Sequence, residues 1–271
     1  MSTFAPMIFY FSGTGNTRWA AEQLAAATQE KLLFIPEELK GECTYTLADN
    51  ECVGFCFPVH GWQPPHIVRQ FIDKLQITNA LGHYAYSVCT CGDSIGLAMD
   101  MLQRQLKEKG ITLQSTLSLI MPESYVCLPF MYTDTPEREH EKTQQAAKDL
   151  EAFCNIVKGR ETMEQLVKGA APWLMSHVIG GYFNRYMITD RKFTVDEDVC
   201  IHCSKCAEVC PTGDIMVTGQ HGDEGRKAPT PEWKNDSSCT CCLSCYHHCP
   251  VHAINYGSIT RKRGQYYYGH R

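Results

Sequence analysis

Two stretches of the sequence, CIHCSKCAEVCP at residues 200–211 and CTCCLSCYHHCP at residues 239–250, share one cysteine spacing. Each reads C-x2-C-x2-C-x3-C-P, and the second begins 39 residues after the first. Gaps of two residues let a tight loop direct three thiolates at separate corners of one polynuclear cluster, and the proline ends the ligand turn. The similarity continues in PTGDI at 211–215 and PVHAI at 250–254. The repeat therefore predicts a pseudo-twofold pair of metal-binding halves.

The spacing resembles that of two-cluster bacterial-type ferredoxins over about residues 191–260, with an insertion around residues 218–235. In that family three cysteines of each run bind one 4Fe-4S cluster and the fourth crosses to the other cluster. The resemblance implies a first quartet of Cys200, Cys203, Cys206 and Cys249, and a second quartet of Cys239, Cys242, Cys245 and Cys210. It also implies a small α+β domain that contains two 4Fe-4S clusters.

Two tetrahedral zinc sites are the alternative, because C-x2-C pairs also bind zinc. Zinc sites usually separate two such pairs by a longer spacer, so the tandem quartets favour iron–sulfur clusters. Cys241 breaks the spacing and is interpreted as a non-ligand. His202, His247 and His248 are interpreted as neighbours of the clusters or exposed residues, since eight cysteines account for both clusters.

Length and composition indicate a two-domain protein that is not exported. The chain has 271 residues and a net charge of −5, which argues against general nucleic-acid affinity. It has no signal-peptide pattern and no apolar run of about eighteen residues, so we expect a cytoplasmic protein without membrane insertion. The sixteen cysteines are then expected as thiols or metal ligands in a reducing compartment.

The first 158 residues alternate β-rich runs with helical stretches, which is typical of a parallel sheet covered on both faces. The expected strands are residues 7–11, 32–35, 52–57, 84–90 and 116–121. The expected helices are residues 17–27, 65–74, 95–109 and 136–158. This pattern predicts a doubly wound α/β fold with a five-stranded parallel sheet.

The loop after the first strand reads SGTGNT and leads directly into a helix. Its hydroxyls and backbone N–H groups at a helix N-terminus suit a phosphate monoester. No Gly-Lys-Ser/Thr follows, and Arg18 occupies the third glycine position of a dinucleotide fingerprint. The loop resembles the flavodoxin signature, and the resemblance, over about residues 5–158, implies FMN binding. The implied phosphate-binding residues are Ser12, Gly13, Thr14, Gly15, Asn16 and Thr17.

Flavodoxin-like folds bind FMN with loops at the carboxyl ends of the strands. By the resemblance, further FMN contacts are Pro58, Val59, His60, Gly61 and Trp62 after the third strand, and Thr90, Cys91, Gly92 and Asp93 after the fourth. Trp62 would stack on the flavin ring and the Gly61 backbone would rearrange toward it. The alternatives are that Trp62 is a packing residue and Gly61 a simple turn. Tyr125 is a second candidate for covering the ring, or else a surface loop residue.

The remaining segments are interpreted from their composition. We predict domains at 1–158 and 191–271 with a helical connection at 159–190, whose aromatic residues Tyr182, Phe183 and Tyr186 pack between the domains. Cys56, Cys89 and Cys91 are interpreted as buried apolar thiols. The tail at 261–268, rich in basic residues and tyrosine, is interpreted as a solvated face or a docking rim.

Together these features resemble anaerobic flavodoxin–ferredoxin fusion proteins. The resemblance implies electron transfer between redox protein partners through FMN and two 4Fe-4S clusters, with no catalytic residue assigned. The alternatives are a flavin-dependent reductase of a small organic substrate that the clusters supply with electrons, and a redox sensor. The sequence leaves the partners, the direction of electron flow and the oligomeric state open.

Overall fold

In the computed structural model, which describes residues 6–217 and 230–270, the chain divides into two compact units. The first unit comprises the described part of Met1–Ser12, together with Asn16–Pro122 and Thr135–Arg185. The second unit comprises Gly13–Gly15, Glu123–Asp134 and the described part of Tyr186–Arg271. Residues 159–185, expected as a connection, therefore pack with the first unit. None of the helices within the described ranges is long and apolar enough to cross a membrane.

The first unit is built on a six-stranded parallel sheet. Its strands are β1 (Met7–Tyr10), β2 (Lys31–Phe34), β3 (Cys52–Pro58), β4 (Tyr84–Cys91), β5 (Leu113–Ile120) and β6 (Met163–Gln165). They lie in the order β2-β1-β3-β4-β5-β6. The order 2-1-3-4-5 is that of flavodoxin-like doubly wound folds. The predicted α/β class is confirmed, and the five-strand count is corrected to six.

Four long helices cover the sheet: α1 (Asn16–Thr28), α2 (His66–Lys74), α3 (Ala98–Glu108) and α4 (Pro136–Gly159). Helix α1 contacts α4, and α2 contacts α3. The helix α4 begins where the Thr135 side chain accepts a hydrogen bond from the backbone N–H of Arg138 (3.4 Å), and it ends at Arg160, which has a left-handed backbone. Its boundaries are therefore set by local capping chemistry.

Strand β6 is an edge strand that two serines of β5 attach to the sheet. The Ser115 hydroxyl accepts a hydrogen bond from Met163 N (2.9 Å), and the Ser118 hydroxyl accepts one from Val167 N (2.8 Å). Because the strand is three residues long and mostly exposed, it carries no alternating apolar pattern that would predict it.

The second unit repeats one motif twice. Its elements are β7 (Phe193–Val195), α5 (Lys205–Glu208), β8 (Ile215–Val217), β9 (Pro231–Trp233), α6 (Ser244–His247) and β10 (Ile254–Tyr256). The starts of α5 and α6, and of β8 and β10, are 39 residues apart, as the cysteine runs are. Strand β7 pairs with β10 and β9 pairs with β8, both antiparallel. Of the predicted insertion, residues 218–229 lie outside the described residues and 231–233 form β9.

Candidate iron–sulfur and flavin sites

The first quartet surrounds one cavity in the second unit. Its four cysteines line this cavity together with apolar side chains that include Val217, Val251 and Ile254. Cys249 comes from the other repeat, so the cavity draws its thiols from both cysteine runs, as the ferredoxin resemblance implies. The structure therefore brings these four predicted residues together.

The second quartet also draws on both runs. Burial raises the pKa of Cys245, and the other three thiols of its quartet raise it further. Burial likewise raises the pKa of Cys242 to about 12, with Cys210 contributing across the repeat. Thiolates this crowded repel one another, and bound cationic iron would offset the repulsion. The donor set therefore fits a metal cluster.

Left-handed backbone residues shape the ligand turns. His202 and Cys241 have φ values of 55° and 53°, Ser204 and Leu243 have 59° and 60°, and Gly213 and His252 have 63° and 55°. Each pair is separated by 39 residues. Such conformations are rare outside glycine, so their recurrence at matched places shows that both runs fold into the same turn. Cys241 occupies the place of His202, which supports its interpretation as a non-ligand.

Backbone N–H groups point at the ligand sulfurs at equivalent places. Asp214 N donates to Cys210 Sγ (3.3 Å), and Ala253 N donates to Cys249 Sγ (3.2 Å). Hydrogen bonds to the sulfurs stabilise thiolates and set cluster potentials. The two crossing cysteines are thus held in the same way.

No group of three or more His, Cys, Asp or Glu side chains within residues 6–217 and 230–270 is placed to hold a single metal ion. In a cubane each thiolate binds its own corner iron, so the sulfurs stand around a cluster rather than around one ion. The arrangement of the quartets is compatible with that larger group.

His247 has a structural role. Its Nε2 donates to the Ser124 carbonyl (2.6 Å), and its Nδ1 accepts from Tyr266 N (3.0 Å). Burial lowers its pKa to about 3, so the imidazole is neutral. Tyr266 is 3% exposed, and the Arg263 guanidinium lies 3.5 Å from the Tyr132 ring centroid. These two tail residues are packed, so the solvated-face interpretation is wrong for them.

Tyr125 packs against the buried core of the second unit. Its surface-loop interpretation is therefore wrong, and its contact with a flavin stays a prediction. In the first unit Cys56, Cys89 and Cys91 are all buried, and burial raises the pKa of Cys56 and Cys89. The interpretation of these cysteines as buried apolar thiols is confirmed.

The predicted flavin loops follow β1, β3 and β4, which are neighbours in the sheet. Their carboxyl ends therefore meet at one edge, where doubly wound folds bind ligands. Thr17 and Thr90 share a hydrogen bond between their hydroxyls (2.7 Å), and Asn16 Nδ2 donates to the Pro122 carbonyl (3.1 Å). The first loop is thus tied to the strand ends beside it.

The middle of the first loop, Gly13–Gly15, packs with the second unit. A Cβ at Gly13 would lie 2.6 Å from Cys242 Cβ, so only glycine fits there. The Thr14 carbonyl accepts a hydrogen bond from Tyr268 N (2.8 Å). The C-terminal tail therefore contributes Tyr268 beside the predicted phosphate loop, a contact that no local sequence pattern signals.

The loop after β3 is a tight turn from His60 to Gln63. His60 N donates to Gln63 O (2.9 Å), and Gln63 N donates to His60 O (3.3 Å). Gly61 and Trp62 both have φ of 55°, as a type I′ turn requires at its two central positions. The prediction that Gly61 occupies a turn is confirmed.

Trp62 is strained and only partly buried. A positive φ is unusual for a bulky residue and costs on the order of 1–3 kcal/mol, a strain that clusters at binding sites. Its Nε1 donates to Ser94 Oγ in the loop after β4 (3.3 Å). The turn therefore presents the indole beside both ligand loops, rather than burying it fully in the core.

The loop after β4 is held at its start and its glycine. Val59 N donates to the Thr90 carbonyl (2.9 Å), and Lys142 Nζ donates to the Gly92 carbonyl (3.0 Å). Asp93 is exposed. Burial, with His66 nearby, lowers the pKa of the partly buried His60 to about 4, so that side chain is neutral at pH 7. The edge thus presents backbone and hydroxyl groups rather than charge.

Sequence reasoning missed three residues that support these loops. The Val167 carbonyl accepts a hydrogen bond from Ile95 N (3.0 Å), Ser176 Oγ accepts one from Leu97 N (2.7 Å), and Asn184 Nδ2 donates to the His60 carbonyl (3.0 Å). All three lie in residues 159–190, the segment expected to connect the domains. Of the aromatics in that segment, Phe183 is buried, whereas Tyr182 and Tyr186 are 62% and 60% exposed.

Comparison with known families places the cysteine runs. Residues 192–250 match the family of 4Fe-4S dicluster domains, and no curated protein matches the chain. Among solved structures, the rubredoxin oxygen:oxidoreductase of the anaerobe Desulfovibrio gigas is 16% identical with a TM-score of 0.36, covering 59% of this chain and 37% of its own. The two-electron reduced flavodoxin of Megasphaera elsdenii is 18% identical with a TM-score of 0.31, covering 54% of this chain and 98% of its own.

The fold assignment of the first unit rests on its strand order, because these structural likenesses are too low to support one. The assignment of the second unit rests on the matched segment and on its paired cysteine turns. The chain therefore joins an α/β unit with the flavodoxin-like strand order to a segment of the 4Fe-4S dicluster family.

Proposed function

We propose that this protein carries electrons between redox partners through one FMN and two 4Fe-4S clusters. The observation that carries the proposal is that cysteines from both repeats converge on each of two sites. When bound, FMN exchanges one or two electrons and each cubane passes one, so the pair interconverts single-electron and two-electron donors. The chain's own residues hold the thiolates in place, direct N–H groups at them and shape the flavin loops.

The environment of the first quartet supports a protein partner. Cys203 is exposed, and Val199 and Ile201 expose 42% and 57% of their surface. At the repeat-equivalent place of Ile201, Thr240 is 2% exposed. The exposed acidic run Asp196-Glu197-Asp198 adjoins this surface. An apolar centre with an acidic neighbour favours a basic redox protein as the partner.

The test is anaerobic purification followed by quantification of iron, sulfide and flavin. We expect about eight irons, about eight sulfides and one FMN per chain. A Cys206→Ala variant should retain FMN and lose iron, because only the first quartet is broken. Zinc in place of iron would overturn the iron–sulfur part, and a chain that binds iron without flavin would overturn the FMN part.

A second experiment separates a carrier from a reductase. The chemically reduced protein is mixed anaerobically with an oxidised redox protein or with small organic acceptors such as quinones and nitroaromatics. Carrier function predicts fast reoxidation by the protein. Catalytic turnover of an organic acceptor that saturates with its concentration would instead favour the reductase.

A further inference from the structure

Residues 174–184, here termed the buttress segment, follow β6 and pack within the first unit. They comprise the π-helical turn Leu174–Ile179, the helical turn Gly180–Tyr182, and Phe183 and Asn184. Wide π-turns are rare and occur most often at functional sites. The segment contacts the turn from His60 to Gln63, which bears the predicted flavin-stacking tryptophan.

The closest approach is between two backbones. A Cβ on Gly180 would collide with the carbonyl oxygen of Gly61, while the neighbouring Gly181 has no atom within 4 Å of the equivalent position. Gly180 has ordinary helical φ and ψ of −66° and −35°. Alanine would therefore suit its conformation, and only the contact with the turn requires glycine.

Asn184 and Phe183 hold the same turn from the next helical turn. Asn184 Nδ2 donates to the His60 carbonyl (3.0 Å) and to the Gly180 carbonyl (2.9 Å). A Cβ at Gly61 would lie 2.5 Å from the Phe183 ring. Asn184 Oδ1 is buried and accepts no hydrogen bond from the described residues. A buried acceptor without a donor is costly, so a bound ligand with an N–H group would satisfy it.

Ser176 joins this turn to the loop after β4. Its side chain is fully buried. The Ser176 carbonyl accepts from Gln63 Nε2 (2.7 Å), and its hydroxyl accepts from Leu97 N (2.7 Å). Gly96 fits between Ser176 and Trp62 because a Cβ there would collide with the serine hydroxyl. One buried serine thus fixes both loops.

Hydrophobic burial alone does not account for this placement. Val178, Ile179 and Tyr182 expose 51%, 44% and 62% of their surface, so much of the apolar surface of the segment lies outside the core. Its buried groups are instead polar atoms and glycines that meet main-chain groups of the two loops. Such contacts fix a geometry more than they contribute to a core.

We propose that the buttress segment positions the turn from His60 to Gln63 for the flavin ring, with Gly180, Asn184 and Ser176 as its positioning residues. The inference rests on the proposed FMN site and adds the residues that pre-organise it. Pre-organisation lowers the ordering that binding requires, so loosening the turn weakens the ligand without removing any contact to it.

The test compares Gly180→Ala with Gly181→Ala, two adjacent helical glycines that differ in their neighbours. FMN affinity is measured by quenching of flavin fluorescence on the holoprotein after reversible flavin removal. We expect Gly180→Ala to weaken FMN at least tenfold and Gly181→Ala to stay within twofold of wild type. Equal affinities for the two variants would overturn the positioning role and leave the proposed function standing.

Asn184→Asp supplies a near-isosteric second variant, which keeps the volume and loses the donated hydrogen bond to His60. It should weaken FMN at least fivefold and change the visible circular dichroism of bound flavin, while the iron content stays unchanged. Wild-type affinity and an unchanged flavin spectrum would overturn the role of Asn184.

Hydrogen exchange of the flavin-free protein tests the geometry without the ligand. The amides of His60 and Gln63 should exchange at least tenfold faster in Gly180→Ala than in Gly181→Ala. If wild type binds no FMN but this difference appears, the proposed function fails and the buttress survives as a structural device. If neither effect appears, the inference is wrong.

Discussion

At the scale of single residues, Glu30 is a buried acid that makes the first unit sensitive to pH. It is 7% exposed, and burial raises its pKa from about 4.5 to about 7 against hydrogen bonds from Tyr86 and Thr28. The folded carboxyl therefore holds its proton more tightly than the unfolded one. Its contribution to stability is complete below pH 4.5 and is lost as pH rises through about 7.

We expect Glu30→Gln to abolish most of this decline, because glutamine keeps the hydrogen bond from Tyr86 without a titrating proton. The free energy of unfolding of wild type should fall by on the order of 2–3 kcal/mol relative to the variant between pH 5 and pH 8. Urea unfolding followed by far-UV circular dichroism at several pH values measures it. Glu42→Gln, at an exposed position, is the control, and a parallel decline in all three proteins would contradict the assignment.

The residues that chemistry marks by spacing could be predicted, and those that support them could not. The cysteines of both quartets and the loops after β1, β3 and β4 follow from short patterns with a direct chemical meaning. Asn184, Ser176 and Tyr268 act through contacts over long sequence separations. Nothing local in an asparagine or a serine distinguishes these positions from an ordinary polar site.

At the scale of elements, the ligand turns depend on left-handed backbone residues at matched positions. Gly213 has φ of 63°, and no atom lies within 4 Å of the place that a Cβ would take there, so its requirement is purely conformational. We expect Gly213→Ala to destabilise the second unit by roughly 1 kcal/mol, and Gly213→Asn by less, because asparagine tolerates this region. The urea concentration at which cluster absorbance is half lost measures it.

Gly181→Ala is the control, since Gly181 has a helical backbone and open space around it. It should leave the loss of cluster absorbance unchanged. An alanine at 213 that is as stable as wild type would contradict the conformational requirement and with it the matched design of the two turns.

Element boundaries were predictable where hydrophobic periodicity and capping coincide. The helix expected at 136–158 is observed as Pro136–Gly159, and the strand expected at 52–57 as Cys52–Pro58. Strand β6 was missed because its backbone donors are satisfied by serines of β5, which is a tertiary effect. The composition of the buttress segment indicates a helix, but its aromatic residues also suggest an interface, and no local pattern distinguishes a connection from a support of the loops.

At the scale of the whole molecule, the proposed cofactors fix an electron count. FMN accepts two electrons and each cubane one, so a reductive titration of the holoprotein should consume about four electrons per chain. Cys206→Ala should lower the count to about three, provided that the second cluster stays intact. Anaerobic titration with dithionite followed by visible absorbance measures both, and a wild-type end point at two electrons would contradict the proposed pair of clusters.

The asymmetry of the two halves leads to a prediction about partner choice. The surface around Cys203 is exposed and adjoins Asp196-Glu197-Asp198, whereas the equivalent side of the second half is buried. A partner that docks there should be steered by charge, and steering weakens as salt shortens the Debye length from about 30 Å at 0.01 M to about 8 Å at 0.15 M. The second-order rate of cytochrome c reduction by the reduced protein should therefore fall roughly tenfold over that range.

Neutralising the three acids in Asp196→Asn/Glu197→Gln/Asp198→Asn should slow cytochrome c reduction severalfold at low salt and flatten its salt dependence, because fewer charges attract the basic haem protein. The triple variant Glu42→Gln/Asp49→Asn/Glu141→Gln, at exposed positions of the first unit, changes the net charge equally. Stopped-flow kinetics with cytochrome c and with anionic hexacyanoferrate(III) distinguish a local effect from a global one. If both triple variants slow cytochrome c equally, net charge controls the encounter and the surface around Cys203 is not the docking site; if only the first does, the acids beside the first quartet direct the partner to that cluster.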